Sequence, residues 1–93
     1  MLLLPATVTA REANDVRRLL TQALKGEPGD AVVIDASNLQ QFDSAALAVL
    51  LECQRAAQAS GKSFELRGVP PKLAALAGLY GIDAVLRPEA AAA

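Results

Sequence analysis

The sequence predicts a single α/β domain, with helices packed against a small mixed β-sheet. Three observations lead there. Short runs of strand character recur along the chain, β-branched at Ala31–Ala36 and alternating at Ser63–Leu66. Segments with apolar residues at helical spacing lie before, between and after these runs. Glycine and proline fall at the boundaries of the segments and leave their interiors unbroken. Strand, helix, strand, helix in that order is a crossover unit, right-handed because of the twist of its strands.

The elements follow in order. Leu2–Leu4 reads as a short strand, placed at an edge by Pro5. Thr9 to Glu12, "TARE", fits a capping box in which hydroxyl and glutamate each bond the other's backbone N–H. The helix it opens carries Ala13, Val16, Leu19, Leu20, Ala23 and Leu24, the spacing of one buried face. "KGEPGD", 25–30, ends it. "AVVIDA", Ala31–Ala36, has the nearly continuous apolar character of a strand in a parallel sheet covered on both faces. A polar connection leads to a second helix over 44–59, stopped at Ser60-Gly61, and then to the strand Ser63–Leu66. Pro70 and Pro71 open a third helix, with Leu73, Leu76, Ala77 and Tyr80 on one face and Gly81 as its C′ residue. Residues from Pro88 onward are expected to fray. With no internal repeat and no long linker, residues 1–93 read as one domain.

Composition narrows the function. A net charge of −1 and a pI near 5.2 provide no field for gathering nucleic acid or anionic lipid. Phe42, Phe64 and Tyr80 are too scattered for a base-stacking platform. The chain has no histidine, which removes the usual general base and the commonest metal ligand. A lone Cys53 suits a reducing compartment and reads as an inert core thiol. "MLLLP" is too short for a signal-peptide core or a membrane span, so a cytoplasmic address is expected.

The informative stretch is "FDSAALAVLL", residues 42–51. Together with "ECQRAAQASG" it makes about sixteen residues without Gly or Pro, which favours helix over strand. Asp43 is then the N-cap, its carboxylate accepting free N–H groups of the first turn, and Ser44 the first helical residue at the positive end of the dipole. At 100° per residue, Ala46, Val49, Leu50, Cys53 and Ala57 share the core face. Leu47 and Leu51 fall on a flank with Gln54 and Gln58. They either cover the edge of a neighbouring helix or form an apolar strip beside Ser44, open to a partner.

These residues carry a resemblance. "VVIDASNLQQFDSAALAVLLECQRAAQASGKSFELRGVPPKLAALAGLYGI" resembles the STAS domain of bacterial anti-sigma factor antagonists and transporter-associated regulators. The signature is an apolar strand ending in Asp, a short polar loop, then Asp-Ser/Thr-x-Gly-Leu opening an apolar helix. The likeness covers roughly residues 30–86. The block "FDSAALAVLLECQR" with "RGVPPKLAALAGLYGI" most resembles the small, MlaB-like STAS subunit of Mla-type phospholipid ABC transporters.

That resemblance implies a single STAS-type domain and a non-catalytic module without cofactor or metal. Its implied partner is the cytoplasmic ATPase of the transporter, with the permease in the assembled complex, reached through Asp43, Ser44, Leu47 and Leu51. It implies a position peripheral to the inner membrane through that partner, with no direct insertion. The alternative is an anti-sigma factor antagonist or a related signalling switch. In that branch the phosphorylated serine lies two residues after the Asp, where this chain has Ala45, and the usual glycine is Ala46. The resemblance also implies that the family's usual first strand is missing or reduced to Leu2–Leu4.

An enzyme is the third reading. Asp35 and Asp43 both fall near the end of the second strand, where open α/β sheets bind ligands, and two carboxylates can do acid–base work. No histidine, glycine-rich phosphate loop or serine–base pair accompanies them. Asp35 is therefore read as a strand-end residue bonding loop N–H groups. Nucleotide binding is disfavoured because Asp43 already places an anion at the helix start.

Overall fold

In the computed structural model, residues 2–82 are described; the expected fraying from Pro88 lies outside them. The chain runs β1 (Leu2–Leu3), β2 (Thr7–Val8), α1 (Ala13–Lys25), β3 (Ala31–Asp35), β4 (Gln41–Phe42), α2 (Ser44–Ala59), β5 (Ser63–Arg67) and α3 (Pro71–Leu79). β3 is central, with β1 and β5 on either side. Every strand pairing among the described residues is parallel. The α/β class holds, but the sheet there is not mixed.

The parallel arrangement follows from the connections. Each return of the chain passes through a helix, α1 between β1/β2 and β3, and α2 between β4 and β5, and such crossovers join parallel strands. Val32 and Ile34 alternate with Ala31, Val33 and Asp35, and the two former are wholly buried. Leu2, Ile34 and Leu66 align across the three strands, and Leu3, Asp35 and Arg67 align beside them with side chains on the opposite face. That second face is partly open: Leu3 is 57% exposed, and Arg67 pairs with Glu65 at 3.1 Å. The expectation of a sheet covered on both faces therefore fails within the described residues. One face lies under helices, and the strands alternate accordingly.

Helices α1 and α2 pack along each other, α1 also against β1 and α2 also against β5. Their inner residues, Val16, Leu20 and Leu24 with Ala46, Val49, Leu50, Cys53 and Ala57, join Leu4, Val8, Val32, Ile34, Leu66, Leu73 and Ala77 in one core. Leu19 and Ala23 are exposed, Leu19 by 67%. The apolar stripe of α1 is wider than its cover, and Leu19 lies beside Leu3, Leu4 and Pro5 at the β1 edge.

Two loop devices fix the ends of β5 and α3. Gly68 follows β5 with φ +65°, and a Cβ there would lie 2.8 Å from Asp35 Oδ1 and 2.9 Å from the Ser37 Cβ. Only glycine fits so close an approach in that conformation. At the end of α3, Gly81 (φ +70°) closes a Schellman turn: its N–H donates to the Gly78 carbonyl at 3.1 Å and the Ile82 N–H to Ala77 at 3.0 Å. Gly81 is thus the C′ residue, as expected. Tyr80, placed on the inner face by periodicity, is 59% exposed because the helix stops there and the residue leaves the face.

Candidate functional site

The region around Asp43 is built by two strands that periodicity does not reveal. Val8 of β2 pairs with Phe42 of β4, which sets the residues opening α1 and α2 side by side. Asp43 then takes an extended N-cap conformation (φ −135°, ψ −165°), and its Oδ1 accepts the Ala45 N–H at 2.8 Å. Its Oδ2 accepts the Ala10 N–H at 3.2 Å, across to the turn that opens α1. One carboxylate therefore joins the starts of both helices.

The α1 start is closed by its own acid. Glu12 Oε1 accepts the Thr9 N–H at 2.9 Å and the Thr9 hydroxyl at 2.6 Å. The glutamate half of the expected capping box is present. The hydroxyl half differs, because Thr9 Oγ1 accepts a long bond from the Arg11 N–H at 3.4 Å and regular helix begins only at Ala13. Hydrogen bonds from Thr9 hold the Glu12 carboxyl below its ordinary range.

Of the expected site residues, Ser44 is exposed at the head of α2 and Asp43 beside it is exposed but bonded on both oxygens. Leu51 is half-buried. Leu47 is 3% exposed and belongs to the core, so its placement off the core face does not hold. The structure realises one alternative for each leucine. Leu47 lies under cover of neighbouring structure and Leu51 stays at the rim.

Ser44, Leu47, Ala48 and Leu51 form one wall of a groove of about 230 Å³, and Tyr80 and Ile82, at the end of α3, form the other. Leu79, 82% exposed, lies next to it in sequence. The α3 contribution was not legible from the helical pattern. Its one signal was Gly81, which ends the helix and so turns Tyr80 outward.

Asp35 and Cys53, the other residues singled out by the sequence, lie apart from this groove. Asp35 Oδ1 accepts the Ser37 N–H at 2.8 Å, an Asx turn at the strand end that matches the strand-end reading. Hydrogen bonds from Ser37 hold its carboxyl below the ordinary carboxylate range. Asp35 and Asp43 thus each bond separate backbone donors. Cys53 is wholly buried, and that burial pushes its thiol up to about 12, which keeps it in the unreactive protonated form. Among the described residues no cluster of His, Cys, Asp and Glu is arranged to hold a metal ion, and no helix is long and apolar enough to cross a membrane.

No curated protein matches the chain at a significant level. Residues 1–88 match the family model described as "Mlab, STAS domain". The match extends through β1 to β5 and all three helices, including the Asp43–Ser44 head of α2, and the chain belongs to the STAS-domain family.

Proposed function

We propose that this STAS protein is a non-catalytic accessory subunit that binds the cytoplasmic ATPase of a phospholipid-transporting, Mla-type ABC complex. The observation that carries the reading is the groove between α2 and the end of α3. It combines an exposed hydroxyl, Ser44, with Leu51, Tyr80 and Ile82 around a largely apolar floor. An apolar centre with an aromatic at its edge is the composition of a binding hot spot. STAS domains are generally non-catalytic, which agrees with carboxylates engaged in backbone bonds.

The physical role would be that of a rigid block. The groove is borne on α2, whose inner face is anchored in the core by Ala46, Val49, Leu50, Cys53 and Ala57. Docking through such a surface adds its binding free energy to whichever ATPase conformation presents the complement, and so shifts the ATPase equilibrium. The protein would sit at the cytoplasmic side of the inner membrane through that partner alone. Ala45 at the position of the signalling branch's phosphoserine removes the hydroxyl through which a kinase would control binding.

Affinity purification from cell extract with mass spectrometry tests the reading. The expected result is an ABC ATPase recovered with its integral permease. Recovery of an anti-sigma kinase in their place would overturn it.

A further inference from the structure

Asp43 directly precedes Ser44 of the surface just described, and both of its oxygens are bonded inside the protein, to Ala45 and to Ala10. We propose that Asp43 is a positioning residue, which sets the first turn of α2 against the start of α1 and so determines how Ser44 and Leu51 are presented, without itself touching the partner. This rests on the reading of the α2 flank as the docking surface.

The geometry favours a positional role. Ionised carboxylate has two acceptor oxygens and no donor, so it satisfies two N–H groups at once. One donor, Ala45, lies in the first turn of α2, and the other, Ala10, in the turn just before α1, 33 residues from Asp43 in sequence. The Ala45 N–H is an orphan donor of a helix start, which otherwise turns to water. The Val8–Phe42 pairing brings the two chain segments together just before the helices, and the carboxylate holds the next step on each side. Both helices run from this point along a shared interface. A loosened first turn in α2 would move Ser44 first, and Leu51 less, because Ala46, Leu47, Val49 and Leu50 hold the helix body in the core.

The link can be cut from either end. Asp43→Asn keeps one acceptor for the Ala45 cap but presents an N–H₂ group where the second acceptor stood. Ala10→Pro removes the other end, the Ala10 N–H, at the second position of the Thr9–Glu12 turn, where proline is tolerated, and leaves α2 unaltered in sequence. The experiment measures amide hydrogen exchange of Ala46–Ala48 in the isolated variants, and affinity for the ATPase by calorimetry.

A positional Asp43 predicts that Ala10→Pro speeds exchange in the first turn of α2 about fivefold, the scale of one lost capping bond. It also predicts that both variants lose affinity by a similar factor and that the double variant loses no more than either alone. Wild-type exchange at Ala46–Ala48 in Ala10→Pro would overturn the proposal. So would an Ala10→Pro protein that binds normally while Asp43→Asn does not, since the carboxylate would then contact the partner directly. Leu51→Asp serves as the control for the surface itself. If it binds as tightly as wild type, the docking surface lies elsewhere, and the exchange rates alone then decide whether Asp43 positions the α2 start. Should Ala10→Pro fail to fold, the same exchange measurement on Asp43→Asn decides, with unchanged rates at Ala46–Ala48 counting against the role.

Discussion

Helices α1 and α2 lie side by side in the same layer, but they bury different amounts of themselves. α1 buries Val16, Leu20 and Leu24 and leaves Leu19 and Ala23 in water. α2 buries six residues, Ala46, Leu47, Val49, Leu50, Cys53 and Ala57. The cause is position. α1 stands over the two-residue edge strand β1, with α2 on one side only, whereas α2 lies against α1 and β5 and faces the end of α3. The apolar run in α2 is therefore mostly a record of how many neighbours it has. What remains after that subtraction is small: Leu51 at a groove rim, beside Ser44 and opposite Tyr80 and Ile82.

The sharpest way to break this comparison is Leu47→Ala. If α2 is covered on the Leu47 side, the change should cost about 2–5 kcal/mol in a urea unfolding titration, the range for emptying a leucine site in a packed core. A loss near zero would return Leu47 to the surface and enlarge the candidate docking area.

Acid acts on the head of α1. Glu12 binds its proton less readily in the folded protein than in the unfolded chain, because Thr9 donates to its ionised form. Its contribution is thus fully present above the ordinary value of 4.5 and is lost as pH falls through the lower folded value. Amide exchange in the first turn of α1, around Asn14–Val16, should accelerate as pH falls below that value, after correction for intrinsic rates. Glu12→Gln should abolish this pH dependence. An identical profile in wild type and Glu12→Gln would show that the Thr9–Glu12 turn does not hold α1.

The smallest effect is expected at Leu19. Leu19→Asn should shift stability by no more than about 0.5 kcal/mol, as exposed positions do. A loss above about 2 kcal/mol would mean that the outer side of α1 is covered after all.

Much of this arrangement was legible in the sequence, for identifiable reasons. Strand β3 announced itself through consecutive β-branched residues, and the inner face of α2 through spacing that a long uninterrupted helix must respect. β2 and β4 were missed because two-residue strands have no period to detect. Leu19 and Ala23 were assigned to the core because the width of an apolar stripe is written in the helix, while the width of its cover depends on the sheet. Leu47 was left open for the complementary reason, since the α3 end that faces it is brought there by tertiary structure. At the candidate site, the Asp43 cap could be read from its local pattern, and its bond to Ala10 could not, because nothing local links positions so far apart.

The docking claim is tested most directly by Leu51→Asp, measured for affinity toward the ATPase and for melting temperature in the same preparation. A half-buried rim residue at a hot spot predicts a Kd raised by roughly 30-fold, from a loss of about 2 kcal/mol, with a melting temperature close to wild type. A stable variant that binds as wild type does would contradict the account, and a variant that melts far below wild type would place Leu51 in the core with Leu47.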